Sequence, residues 1–287
     1  MNLLRRYRML CILLAVTLVL LSLTAVVLWH GEWWYPILRD LRGYEAVDLT
    51  ETELAVESKT WTLDELLARE DVLLSDQLML VNAAHPLPEG YEPWLIEYNG
   101  AKMYPLMKDH YIALRDSVLE ETGIRIYVSS DFRTDEEQAE ILESADAGIA
   151  AGVGASEHQT GLALDVYAPH YDGKKLLRSR AGRMVNDVCH EYGFIIRYPK
   201  GGEEITGISY EPWHLRYVGA PHARIIAESG ITLEEYVDLL TPNVWYTSGE
   251  YLISRRTPDS LILPLVWQTC EISPDNTGHY IVTIKLP

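Results

Sequence analysis

The sequence predicts an α+β domain carried behind an N-terminal transmembrane helix and followed by a small C-terminal β appendage. An uncharged apolar run occupies residues 9–31, helical and strand-like segments alternate through the middle, and the chain beyond Pro242 turns aromatic, β-branched and turn-rich.

The apolar run comes first. Arg5, Arg6 and Arg8 precede it, and no charge interrupts it from Met9 to Gly31. A run of roughly 20 apolar residues is long enough to cross a bilayer. The arginines favour the cytoplasmic side, which would put the rest of the chain outside. A cleaved signal peptide is the alternative, but its apolar core is usually shorter and no small-x-small cleavage site precedes Trp29. Trp29, Trp33, Trp34 and Tyr35 read as an interfacial aromatic belt. Residues 32–74 are mixed in character and read as a stalk, with a capping box at Thr62 and Glu65 starting one short helix.

The central block, 75–242, carries the domain. "LMLVN" (78–82) reads as a strand. Residues 104–122 place Leu106, Tyr111, Leu114, Val118 and Leu119 near helical spacing, with Gly123 as the stop. "IRIYVSS" (124–130) and "LALDVY" (162–167) read as strands. A helix starting at the Thr134/Glu137 capping box and the glycine-rich "DAGIAAGVGA" lie between them. A helix ending at Gly193, the strands "FIIRY" and "WHLRYV", and two late helices complete the block. Residues 243–287 form the β appendage.

Composition narrows the function. With 24 Lys+Arg against 42 Asp+Glu, the net charge of −18 repels a phosphate backbone and argues against nucleic-acid partners. Cys11 lies in the apolar run. Cys189 and Cys270 form either a disulfide outside the cell or two buried thiols. No C-x-x-C pair is present.

The chemistry concentrates in "SEHQTGLALD" (156–165). His158 and Asp165 are seven residues apart, the wrong spacing for one helical face. A loop turning at Gly161 into a strand would bring them together. Asp165 stands in an apolar strand, where an isolated carboxylate is costly and a cation would compensate it. "YEPWHLRY" adds Glu211 and His214. A catalytic zinc needs about three protein ligands and one open position, and a nearby carboxylate to take a proton from water. No H-E-x-x-H helix exists, so the arrangement is not of the thermolysin kind. Arg133, in "SSDFRTDEEQ", sits between a strand end and a helix start, where a guanidinium suits a terminal carboxylate. For each residue alone a capping, core or surface role is the commoner explanation. His85 and His222 adjoin prolines in turns and His190 lies in a helix, so surface or capping roles fit them.

Taken together, S-x-H-x-x-G-x-A-x-D (Ser156, His158, Gly161, Ala163, Asp165) and E-x-W-H (Glu211, Trp213, His214) resemble the VanY-type D-alanyl-D-alanine carboxypeptidases. These belong to the zinc peptidase group of lysostaphin and the hedgehog domain. The likeness covers roughly residues 75–240 in order. It implies an antiparallel sheet with flanking helices. It also implies zinc bound by His158, Asp165 and His214, Glu211 as general base, Arg133 on the substrate carboxylate, Ser156 at the substrate or supporting the site, and Gln138 touching the peptide. The implied substrate is the D-alanine end of peptidoglycan stem peptides. Two positions depart from the family: Asp131 replaces the glycine of S-G-Y-R, where a charge would alter the pocket or repel a carboxylate, and Val153-Gly154 replaces Pro-Gly. The alternatives are an L,D-carboxypeptidase using the same residues on tetrapeptides, and a silent cell-wall peptide-binding protein.

Overall fold

A computed structural model describes residues 2–144 and 151–287. Residues 146–150, half of the expected "DAGIAAGVGA" loop, lie outside the described residues. The elements in chain order begin with helices α1 (Asn2–Trp29) and α2 (Gly31–Arg42). Then come strands β1 (Thr50–Thr52) and β2 (Ser58–Trp61), helix α3 (Leu63–Leu67), strands β3 (Val72–Leu74), β4 (Ile96–Tyr98) and β5 (Ala101–Met103), and helix α4 (Pro105–Thr122). The site region holds β6 (Tyr127–Ser130), α5 (Asp135–Ser144), β7 (Ala163–Tyr167), α6 (Arg180–Val188), β8 (Phe194–Ile196), α7 (Glu203–Thr206) and β9 (His214–Tyr217). Helices α8 (His222–Ser229) and α9 (Leu233–Leu239) and strands β10 (Trp245–Ser248), β11 (Tyr251–Arg256), β12 (Leu261–Pro264), β13 (Thr269–Pro274) and β14 (Tyr280–Lys285) close the chain.

The central domain is built on an antiparallel sheet in the order β6-β7-β9-β8. Helix α4 packs on it because Met107, Tyr111, Leu114 and Val118 recur at helical spacing and are buried. Pro105 opens that helix and left-handed Gly123 ends it. Met107, rather than Leu106, supplies the first buried position. Short helices beginning at capping boxes, α3 at Thr62 and α9 at Thr232, start where the S/T-x-x-E pattern predicts.

Two expectations change here. "LMLVN" is not a strand. Leu78, Met79, Leu80 and Val81 are all buried, but as a connector whose main chain is satisfied by other partners. Arg216 Nη2 donates to Met79 O at 2.8 Å, and Leu78 N donates to Ser273 Oγ at 3.0 Å. The apolar run reflects burial, which periodicity alone cannot tell from a strand.

The second change concerns residues 32–74, which do not form a free stalk. Helix α2 docks on the central domain, with Tyr35 and Pro36 buried. Strands β1 and β3 join the C-terminal strands in one sheet, ordered β1-β10-β11-β14-β13-β3, and β2 pairs with β12. The physical reason is core size. A stretch as short as 243–287 cannot bury both faces of its own strands. Trp61 and Leu66 from the supposed stalk complete a core with Trp245, Leu263, Trp267 and Ile284. Burying one such side chain contributes about 1.5–3 kcal/mol. The three cysteines are all free. Cys189 and Cys270 lie in two separate cores, which is the buried-thiol alternative.

Candidate metal centre and catalytic cleft

The antiparallel register creates the site. Asp165 on β7 pairs with His214 on β9 and with Ser130 on β6. His158 arrives from the preceding segment, a 3-10 turn at Glu157–Thr160. That turn reverses at Gly161, whose φ of +72° favours glycine. A Cβ there would come within 2.4 Å of Leu95 Cδ2, so the sharp entry into β7 needs a glycine twice over.

His158 Nε2 lies 3.4 Å from Asp165 Oδ1, and His214 Nδ1 lies 3.1 Å from the same oxygen. One donor atom from each of the three residues falls within 4.8 Å of the others. All three are largely buried. Asp165 Oδ1 has no hydrogen-bond partner within the protein, although it is buried. A buried carboxylate oxygen facing two imidazole nitrogens matches the donor set of a divalent cation.

The outer contacts orient each ring for that purpose. His158 Nδ1 is 2.7 Å from Asp131 O and donates to it, which leaves the Nε2 lone pair facing Asp165. His214 Nε2 points to Glu157 Oε2 at 3.5 Å, which leaves Nδ1 for the cluster. The two rings stand at 88° with centroids 4.9 Å apart. Their titration diverges. Burial pulls His158 below its ordinary value despite Asp165. His214 feels the same burial, but the Asp165 and Glu157 carboxylates beside it outweigh it and hold the ring above its ordinary value. The second carboxylate makes the difference. Asp165 is opposed by burial, yet the two histidines keep it well below the usual carboxylate range.

Glu211 precedes β9 in a turn closed by His214 N donating to Glu211 O at 3.2 Å. Asn186 of α6, fully buried, pins that turn by donating to Pro212 O at 2.8 Å. The Glu211 carboxylate reaches 3.9 Å from His214 Nδ1. Burial, with Asp165 adding to it, pushes its carboxyl up to about 7 against the pull of His214, Arg133 and Lys174. A base poised near neutrality suits proton transfer.

Arg133 stands beside the cluster. Its Nε and Nη2 donate to Ser130 Oγ at 3.0 and 2.9 Å, and Nη2 lies 3.4 Å from Asp165 Oδ2. Gln138 is fully buried behind it, accepting from Arg133 Nη1 at 3.1 Å and donating to Ala151 O at 2.7 Å. Gln138 thus has no exposed surface and is tied to the arginine. Ser156 opens the 3-10 turn and is 4% exposed. Asp131 does not project a free charge into the cleft. Its carboxylate accepts from Lys102 N, and its carbonyl accepts from His158 Nδ1.

Behind the cluster lies a group that the sequence reading missed. Glu157 Oε1 accepts from Arg197 Nε and Arg216 Nη1, both at 2.6 Å, and all three side chains are fully buried. Arg197 reaches on to Glu234 at 2.6 and 2.9 Å, and Glu234 accepts from Asn82. The two arginines hold Glu157 far below the carboxylate range against its burial. The signal was present: an arginine inside each of the apolar strands "FIIRY" and "WHLRYV" requires a buried acid. His222 also differs from expectation. It is fully buried, between Tyr236 Oη at 2.6 Å and Thr283 Oγ1 at 2.8 Å.

An aspartate and a histidine on an antiparallel sheet and a second histidine from the turn that enters it, with a raised carboxyl and a guanidinium alongside, define a metallopeptidase centre. Comparison with known proteins specifies it. The family model for D-alanyl-D-alanine carboxypeptidase, VanY, matches residues 102–220. A D-alanyl-D-alanine carboxypeptidase of Enterococcus faecium is 42% identical over 55% of this chain and 53% of its own length. The bifunctional D-Ala-D-Ala dipeptidase and carboxypeptidase VanXYC of Enterococcus gallinarum is 36% identical over 58% of this chain and 96% of its own. This chain therefore aligns with about half of the first relative and nearly all of the second.

Among solved structures, a vancomycin-resistance D,D-pentapeptidase VanY bound to Zn(II) superposes with a TM-score of 0.50 at 34% identity. The match covers 56% of this chain and 98% of that one. The D,D-dipeptidase VanXYg, in complex with a D-Ala-D-Ala phosphinate analogue, gives 0.61 at 26% identity over 81% and 100%. The LD-carboxypeptidase LdcB gives 0.51 at 33% identity over 55% and 84%. The chain belongs to the VanY-type metallocarboxypeptidase family.

Proposed function

We propose that this chain is a zinc-dependent D,D-carboxypeptidase that removes the terminal D-alanine from peptidoglycan stem peptides. The observation that carries the proposal is the open three-donor cluster of His158, Asp165 and His214 with Glu211 at its edge. Zinc bound there would lower the pKa of a water and polarise the scissile carbonyl. Arg133 takes the substrate's terminal carboxylate, and its ties to Ser130 and Gln138 fix the guanidinium before substrate arrives. Glu211 accepts the proton of the attacking water and delivers it to the departing amine. Ser156, at the head of the turn that carries His158, supports the substrate side of the cleft. The burial of Glu211 keeps bulk water from competing for its proton.

Helix α1 is read as an uncleaved single-pass anchor, with the catalytic domain outside the cell. Its Tyr7–Trp29 stretch has a mean hydropathy of 2.9 and is exposed throughout, so none of the described residues covers its apolar surface. Residues 75–242 form the catalytic unit, and 243–287 form the β appendage, completed by strands from 50–74.

A second reading, an L,D-carboxypeptidase, draws support from the LdcB likeness, which at 33% identity and a TM-score of 0.51 stands beside the 34% and 0.50 of the VanY structure. One experiment tests both. The zinc-loaded protein is given a stem pentapeptide ending in D-Ala-D-Ala and, separately, the tetrapeptide, and released D-alanine is assayed. Release from the pentapeptide, abolished by chelator, is expected. Release from the tetrapeptide alone would replace this reading with the L,D one. Zinc binding without release from either would leave a peptide-binding protein.

A further inference from the structure

Helix α2 has two faces that point to different partners. One face is clamped to the catalytic domain. Arg178 Nε and Nη2 donate to Glu32 Oε1 at 2.8 and 2.5 Å, and Tyr35 Oη donates to Asp187 Oδ1 at 2.7 Å. Gly31 is pressed so close that a Cβ would fall 2.1 Å from Leu177 O. The clamp is therefore backbone-tight and fixes the helix direction.

The other face is apolar and uncovered. Trp33, Ile37 and Leu41 recur every fourth residue and are 58%, 52% and 76% exposed. Leu38 flanks them at 45%. A folded surface rarely leaves such a stripe to water. The occupant follows from continuity. The apolar Tyr7–Trp29 span ends at Trp29, and α2 begins at Gly31, so only His30 separates them. His30 stacks on Trp33 with ring centroids 3.9 Å apart, which ties the junction to the exposed stripe. Arg42 lies on the clamped side, 3.5 Å from Asp187. Large apolar side chains, a tryptophan among them, exposed along one face of a helix next to a span are the chemistry of the membrane–water interface.

We propose that α2 is an interfacial helix. Trp33, Ile37 and Leu41 lie in the headgroup and glycerol region of the bilayer that α1 crosses, and the opposite face holds the catalytic domain on that surface in one orientation. The inference rests on the anchor reading of α1. It also bears on the cleft. The 3-10 turn Gly173–Arg178 is gripped by α2 at Arg178, and at its other end Gly173 lies beside the Trp213 ring. Six residues of 3-10 helix span about 12 Å. The cleft thus stands one short turn away from the membrane-seated helix.

The test uses the full chain, with Cys11→Ala, in vesicles of phosphatidylcholine with phosphatidylglycerol. Single nitroxide labels are placed through Ile37→Cys, Leu41→Cys, Leu18→Cys within α1 and Glu89→Cys in an exposed turn. Collisions with oxygen and with a water-soluble nickel complex are measured. The proposal expects labels 37 and 41 to favour oxygen and to meet the nickel complex several-fold less than label 89. If label 18 is embedded but 37 and 41 meet nickel as freely as 89, the interfacial helix is wrong and the anchor stands. If label 18 also meets nickel freely, the anchor reading fails and takes this inference with it. The double variant Ile37→Ser with Leu41→Ser is expected to keep its rate on a soluble pentapeptide. Loss of that rate with a changed fold would show that the stripe packs against protein, and would overturn the proposal.

Discussion

Two buried charged groups meet at His214 and are built in opposite ways. On one side, His158, Asp165 and Glu211 leave charge unmatched: Asp165 Oδ1 lacks a hydrogen bond, and the Glu211 carboxyl is pushed up to about 7. On the other side, Glu157, Arg197, Arg216 and Glu234 match nearly every charge with bonds of 2.6–2.9 Å. The open group keeps more exposure, 16% at the Asp165 side chain against 0% at Glu157. On the proposed reading, the unmatched group receives a cation and a substrate. The matched group braces the ring that bridges them and closes the domain.

The largest expected effects break the open side. Asp165→Ala and His214→Ala should abolish D-alanine release and metal retention, with the far-ultraviolet spectrum little changed. Glu211→Gln should retain metal yet lose about 10²–10⁴ in kcat, the usual contribution of a positioned acid–base group. Steady-state kinetics beside metal analysis separates the two.

Breaking the closed side should act on stability instead. Glu157→Gln leaves Arg197 and Arg216 as buried, half-paired cations, a loss of about 3–5 kcal/mol. Denaturant unfolding should show this, and restoring the acid in a Glu157→Asp variant should recover part of it. An unchanged midpoint would mean that the arginines find other partners.

Arg133→Lys should come next. It keeps the charge but loses the fork, so KM should rise by about 10–100-fold, the worth of a charge-assisted hydrogen bond, while kcat changes little.

The smallest effect is a pH dependence far from the cleft. Burial pulls His222 down to about 3. In the folded chain it stays neutral, whereas in the unfolded chain it gains a proton near pH 6.5. Stability contributed by its Tyr236 and Thr283 contacts is therefore full above pH 6.5 and lost as pH falls toward 3, at about 1.4 kcal/mol per pH unit at first. His222→Gln should flatten the curve between pH 6.5 and 5.5, before carboxylates protonate.

This contrast also explains what the sequence made legible. His158 and Asp165 share one short stretch and are joined by a glycine turn, and Glu211 and His214 share another, so local motifs revealed them. The closed group is long-range: Glu157 meets Arg197 40 residues on and Arg216 59 residues on. No local pattern names those partners, although an arginine in an apolar strand announces that one exists. The same holds for residues 50–74. Strands of three or four residues carry too little alternation to read, and β3 pairs in parallel with β13 nearly two hundred positions away. "LMLVN" shows the reverse error, a strand-like composition used as a buried connector.

The most direct test of the open-versus-closed account is the metal content of the full chain after dialysis against zinc. The account predicts one zinc per chain in the wild type and in Glu211→Gln, and none in a folded Asp165→Ala. Zinc retained by folded Asp165→Ala, or absent from the folded wild type, would contradict it.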